Sequence, residues 1–223
     1  VTFQAETAAG TDPVTFAEIY AGATVVRISG DFEIADTATV TAANDPKTGV
    51  AVKFEVGGDF TLAEGARFTA DGKGWYWQAG TDDPHKTHVQ GDDASGHWQT
   101  RAPGAGGDPA SSVAYARGGG YGGTAGGARD IWGQPYGFAA APFLAGSPNG
   151  LYQWKISNAA HPGGTIWLHC AGVASIDGQV TADAVKEGCF GTASGGGIWL
   201  TARNFAFGFD LRTPFCIAIS ARA

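Results

Sequence analysis

The chain has no methionine, and its three cysteines, Cys170, Cys189 and Cys216, all fall in the last quarter. An odd number allows at most one internal disulfide, so these three are the candidates and one thiol stays free or pairs with another chain. No two are spaced as Cys-x-x-Cys, so the usual structural zinc pattern is missing. Charge is scarce as well: 16% of residues are charged, the net charge is −7, and the 14 Lys and Arg are scattered. Nucleic acids are held by clustered basic side chains, so no nucleic-acid partner is expected. No apolar run approaches the roughly 20 residues of a membrane-crossing helix, so no transmembrane segment is expected either. Val1 to Gly10 shows neither a basic start nor an apolar stretch, which reads as a processed or trimmed chain. Catalytic signatures are missing too: there is no Gly-x-Ser-x-Gly, no phosphate loop with its lysine and no His-Glu-x-x-His. These absences lead to the expectation of a secreted or cell-surface protein that is not an enzyme and needs no cofactor.

What the chain does have is glycine, 36 residues of it, and aromatics, with 13 Phe, 7 Trp and 6 Tyr. It also repeats itself. "VRISGDFEIADTATVTA" (Val26 to Ala42) returns 28 residues later as "FEVGGDFTLAEGARFTA" (Phe54 to Ala70). The offset matches Val26 with Phe54, Ile28 with Val56, Phe32 with Phe60, Ile34 with Leu62 and Val40 with Phe68. Within each copy apolar and polar residues alternate, the period-2 sign of a half-buried strand, and the Gly-Asp between two pieces reads as a bend. A second pair lies downstream, "GGTIWLHC" at Gly163 and "GGGIWLTA" at Gly195, offset by 32 residues. "SIDGQVTAD" (Ser175 to Asp183) ends as "EGARFTAD" (Glu64 to Asp71) does, so the two pairs are themselves related.

Repeats of this length that cannot bury a face alone point to a stacked solenoid. No helical periodicity lies between the strands, so each copy is expected to coil once and pair with the next about 4.8 Å away. Ile166, Leu168, Cys170, Ile198 and Leu200 should then point inward, with Trp167 and Trp199 outward. The fold class expected is an all-β, right-handed parallel β-helix with a short N-terminal helix and a long glycine-rich insert. The alternative is an antiparallel β-sandwich, which also has many alternating strands. The chain divides as one β-solenoid domain over 1–223. It has an N-terminal cap at 11–22, a first repeat pair at 26–70, an insert at 72–162 and a second pair at 163–223. In the cap, Thr11 or Asp12 is the N-cap candidate, Pro13 the first turn and Gly22 the stop, and the helix is expected to close the open end of the stack.

The start "GATVVRI", the pair "GDFTLAEGARFTADGKG", the stretch "ARGGGYGGTAGGA" and the two "IWL" strands occur in a telling order. That order resembles glycine-rich, pectin-lyase-like parallel β-helix segments of bacterial secreted and cell-surface proteins. The resemblance covers most of the chain from about Ala21, and it departs in being short and rich in Trp. It implies a β-helix with a structural or adhesive role, and it brings no catalytic set.

The insert allows two readings. In one it lies flat on the solenoid and covers the outward tryptophans. In the other Trp75, Tyr76, Trp77, Trp98, Trp132 and Tyr136 form a carbohydrate-binding platform. His85, His88 and Asp92, in "TDDPHKTHVQGDDASGH", are metal-ligand candidates, and the acidic residues there suit calcium. The expected function is a structural or adhesive β-helix, self-assembling into a surface layer or filament. Its partner is then itself, or a cell-surface glycan. The alternative is a carbohydrate-binding module, or a polysaccharide lyase or glycoside hydrolase on the same fold.

Overall fold

The structure is a computed structural model. It describes residues 1–7, 15–76, 78–80, 87–89, 97–100, 102–105, 119–123, 133–149, 160–185, 193–207 and 218–221, and residues 78–80, 87–89, 97–100 and 218–221 enter through their strand pairing. Strand β1 (Thr2–Gln4) and helix α1 (Phe16–Ala21) come first. A coil of β2 (Thr24–Ile28), β3 (Phe32–Ile34) and β4 (Thr39–Ala43) follows, then a second of β5 (Val52–Val56), β6 (Phe60–Leu62) and β7 (Arg67–Thr69). Three short strands, β8 (Gln78–Gly80), β9 (Thr87–Val89) and β10 (His97–Thr100), form a separate antiparallel sheet. The third coil is β11 (Ile166–Cys170), β12 (Val173–Ile176) and β13 (Gln179–Thr181). Then come β14 (Ile198–Ala202), β15 (Asn204–Phe207) and the last strand, β16 (Ala218–Ala221).

Successive coils pair in parallel on three sides. The sheet orders are β1-β4-β7-β13, β16-β14-β11-β5-β2 and β15-β12-β6-β3. These parallel stacks fit a β-solenoid and exclude the antiparallel sandwich, whose inter-strand pairs would run in opposite directions. The register follows the repeat. Val26 pairs with Phe54, Phe32 with Phe60 and Val40 with Phe68, while Trp167 pairs with Trp199 and Leu168 with Leu200. Pairing equal positions puts like side chains above one another, so the inward set stacks into one core. Phe54, Phe60, Phe68, Leu62, Ile166 and Leu168 are fully buried there. Phe54 meets Phe68 edge-on at 5.2 Å and lies parallel to Phe32 at 6.0 Å.

The bends are braced by carboxylates. Asp31 accepts the backbone N–H of Asp59 at 2.8 Å, and Asp59 in turn accepts that of Val173 at 2.8 Å. Asp71 repeats the device at another corner, taking the N–H of Asp183 at 2.7 Å. Each bond ties one coil to the next where the ladder would otherwise break.

Two expectations about the N-terminal helix change. Its N-cap is Thr15, not Thr11 or Asp12, which lie outside the described residues with Pro13. Thr-Phe-Ala-Glu spells a capping box: the Thr15 hydroxyl takes the Glu18 N–H, and the Glu18 carboxylate takes the Thr15 N–H at 2.8 Å. The stop at Gly22 is as expected. Nor does α1 close the end of the stack. It lies over the outer face of the β2-to-β16 sheet, with Ile19 buried and the Tyr20 ring 5.0 Å from Trp167. The physical reason is the outward tryptophans, which leave an apolar face that needs covering. The first-coil end is met by β1 instead, whose Phe3 sits edge-on to Phe54 at 5.2 Å.

Candidate functional site

The outer cover is where side chains other than the repeat gather. It is a second apolar cluster of Ile19, Trp75, Phe143, Leu144 and Trp167, with Tyr121, Tyr136 and Trp199 packed against it. Trp167 and Trp199 stack at 5.0 Å, and Trp167 is 3% exposed beneath Tyr20 and Phe143. Lys53 adds its ammonium 5.1 Å from the Trp167 ring and pairs with Glu55 at 2.6 Å. Trp167 is therefore covered, as the flat-lying reading of the insert requires, while Trp199 stays half-buried at its edge.

The glycines before each "IWL" strand let neighbouring coils come close to each other, and Gly197 lets the cover come close at the Pro142 carbonyl. A Cβ on Gly196 would sit 1.7 Å from the Gly164 carbonyl oxygen, and one on Gly163 would sit 1.9 Å from that of Ala182. These segments pack main chain on main chain, which no other residue permits. That contact is why the sequence writes glycine before the strand twice.

A chain of hydroxyls pins the cover down. Ser147 is fully buried; its Oγ accepts the Gly104 N–H at 3.1 Å and donates to the Tyr136 hydroxyl at 2.9 Å. Tyr136 donates to the Ala145 carbonyl. The Ser147 N–H reaches Ser194 Oγ at 2.8 Å, and Ser194 donates to the Gly120 carbonyl at 3.2 Å. Burial of its hydroxyl end pushes the Tyr136 phenol far above its ordinary range, so it stays a neutral donor.

Beside this network the surface opens into a cleft of about 830 Å³. Tyr121, Tyr136, Phe138, Pro135 and Pro142 form its sides, with Gly195–Gly197 along one wall. Tyr121 stands edge-on to Tyr136 at 5.1 Å, and Phe138 lies on Phe143 at 5.7 Å with 48% of its surface exposed. Rings on a partly open wall with neutral backbone beside them suit a ligand that has both apolar C–H faces and hydroxyls.

Among the described residues of the platform expected from sequence, Tyr136 lines this cleft and Trp75 and Tyr76 do not. Trp75 is 1% exposed, its ring against Gly49, whose positive φ of 73° suits glycine and whose missing side chain makes the room. It has no open face for a sugar. Tyr76 lies flat on His161 at 4.6 Å, beside a smaller cavity of about 210 Å³ that Gln4, Asn44 and Lys73 also line. Trp98 belongs to β10, where it pairs with Ala79 and Val89, and His88 belongs to β9. Trp77, Trp132, His85, Asp92, Cys189 and Cys216 lie outside the described residues. Cys170 points inward as a buried free thiol, donating to the Gly58 carbonyl at 3.1 Å, and burial pushes its pKa up. Among the described residues no three His, Cys, Asp or Glu gather as a metal site, and no helix is long and apolar enough to cross a membrane. Sequence reading missed Tyr121 and Phe138. The signal was local: each aromatic sits next to glycine, in "GGYGG" and "YGF", where no strand periodicity explains it.

Compared with protein-family models, curated proteins and solved structures, the chain matches none.

Proposed function

We propose that the chain is an extracellular, non-enzymatic, right-handed parallel β-helix with an adhesive role, and that its cleft holds a cell-surface glycan. The single observation that carries this is the cleft itself, an aromatic wall on a scaffold whose bend carboxylates are spent on bracing. Right-handedness is favoured because parallel strands joined by crossovers take that hand almost always. The test is a glycan array probed with the full chain, followed by titration of the hits. Binding that saturates and falls at least tenfold in Tyr121→Ala supports the reading. Release of shortened sugars from any bound polysaccharide would turn it toward the lyase or hydrolase alternative.

A second reading, self-association into filaments, is favoured by the sheet ends. Among the described strands, β2 and β3 are outermost at one end of their sheets, and β16 and β15 at the other. Outermost strands offer unpaired backbone to another chain. Light scattering over a dilution series decides it: growth in mass with concentration supports stacking, and a constant mass near that of one chain removes it.

A further inference from the structure

The ligand class of the cleft can be narrowed, on the premise that it is a glycan site. We infer that the cleft selects uncharged sugar chains and rejects uronates, sialic acids and sulfated glycans. Its described lining holds no Asp, Glu, Lys, Arg or His. An anionic group entering it gives up hydration with no cation among the described lining residues to receive it. The net charge of −7 adds a repulsive field over the whole surface.

What the walls offer instead is ring faces and main chain. Phe138 is backed by Phe143 at an interplanar angle of 14°, so its half-exposed ring is held at a fixed tilt. Phe16 meets the same ring edge-on at 5.9 Å, a second brace. A pyranose with its C–H groups on one side lies on such a ring without needing charge. In the same lining Gly122 and Gly123 leave open space: a Cβ on either would meet nothing within 4 Å. A sugar hydroxyl can therefore approach the backbone there, and backbone groups are neutral partners. The volume, about 830 Å³, lies toward the upper end of small-molecule sites, which reach roughly 1,000 Å³, and so leaves room for more than one ring.

The experiment is calorimetric titration of the full chain with neutral β-linked gluco- and galacto-oligosaccharides, and with their uronate and sulfated counterparts of the same linkage. The neutral set should bind and the charged set should bind at least tenfold more weakly. Ala139→Lys, at an exposed lining position, should narrow or reverse that gap. Phe138→Ala should cost at least tenfold in neutral-sugar affinity with a modestly lowered thermal midpoint, and Phe138→Tyr should keep both the affinity and the midpoint. Equal or tighter binding of the charged set, still lost in Phe138→Ala, overturns the selectivity and leaves the glycan site standing. Binding of no sugar at all, or binding unmoved by Phe138→Ala and Tyr121→Ala, overturns the glycan reading itself.

Discussion

The stacked coils and their outer cover are held together by different means. In the coils, equal positions of a repeat lie over one another, and large side chains fill one continuous core. In the cover, glycine segments approach main chain to main chain, and a few hydroxyls tie them down. The first device rewards bulk and tolerates exchange among similar side chains. The second rewards the absence of a side chain and tolerates almost nothing. A scaffold of the first kind can be rigid while the surface of the second kind shapes a cleft.

The largest break in this comparison should come from the core. Phe54→Ala removes a fully buried ring that touches Phe3, Phe32 and Phe68, and should lower unfolding stability by about 3–5 kcal/mol. Urea denaturation checks it, and the loss should appear in every probe of the coils. Gly197→Ala comes next, with an expected cost of about 1–3 kcal/mol from overpacking against the Pro142 carbonyl of the cover. Hydrogen exchange should place that loss in the cover, with faster exchange at residues 119–123 and 142–147 and less change at β2 to β7. If Gly197→Ala loosens the coils as much as the cover, the two regions are one mechanical unit and the comparison fails.

The difference also explains what the sequence made legible. The 28-residue offset between Val26 and Phe54 could be read because each coil must present the same side-chain pattern to its neighbour, and identity in the string is contact in the fold. The inward Ile166 and Leu168 followed for the same reason. Tyr121 and Phe138 have no repeat partner, and their places are fixed by glycine contacts between segments far apart in the chain, such as Gly197 with Pro142. Backbone-on-backbone packing leaves no periodic trace beyond abundant glycine. The helix was found but put at the wrong place, because an amphipathic stretch states that it covers something apolar and not which surface. The start signal that the fold uses is the Thr15–Glu18 capping box, a more specific pattern than a proline in the first turn.

A smaller effect sharpens the account of the bends. Asp59→Ala removes the acceptor for the Val173 N–H and should cost about 1–2 kcal/mol, while Asp59→Asn keeps an oxygen there and should recover most of it. Thermal midpoints of the two variants compare them directly. The smallest effect concerns the outer ladder of Arg27, Lys53 and Glu55. The hydrogen bond from Lys53 does most to hold the Glu55 carboxyl below its ordinary 4.5, with the charges of Lys53 and Arg27 adding to it against partial burial. A lowered folded-state pKa contributes stability that is present above about pH 4.5 and is lost as pH falls through the folded value. The pair is near the surface, so Glu55→Gln should cost less than about 1 kcal/mol at neutral pH. In acid below the folded value, the variant and the parent should converge in a stability-against-pH series.

The most direct test of the whole account is hydrogen exchange of the full chain with and without a saturating neutral oligosaccharide. The account predicts added protection at residues 119–123 and 133–142, with the exchange of the three parallel sheets unchanged. Protection that appears on the sheets instead, or nowhere, would contradict it.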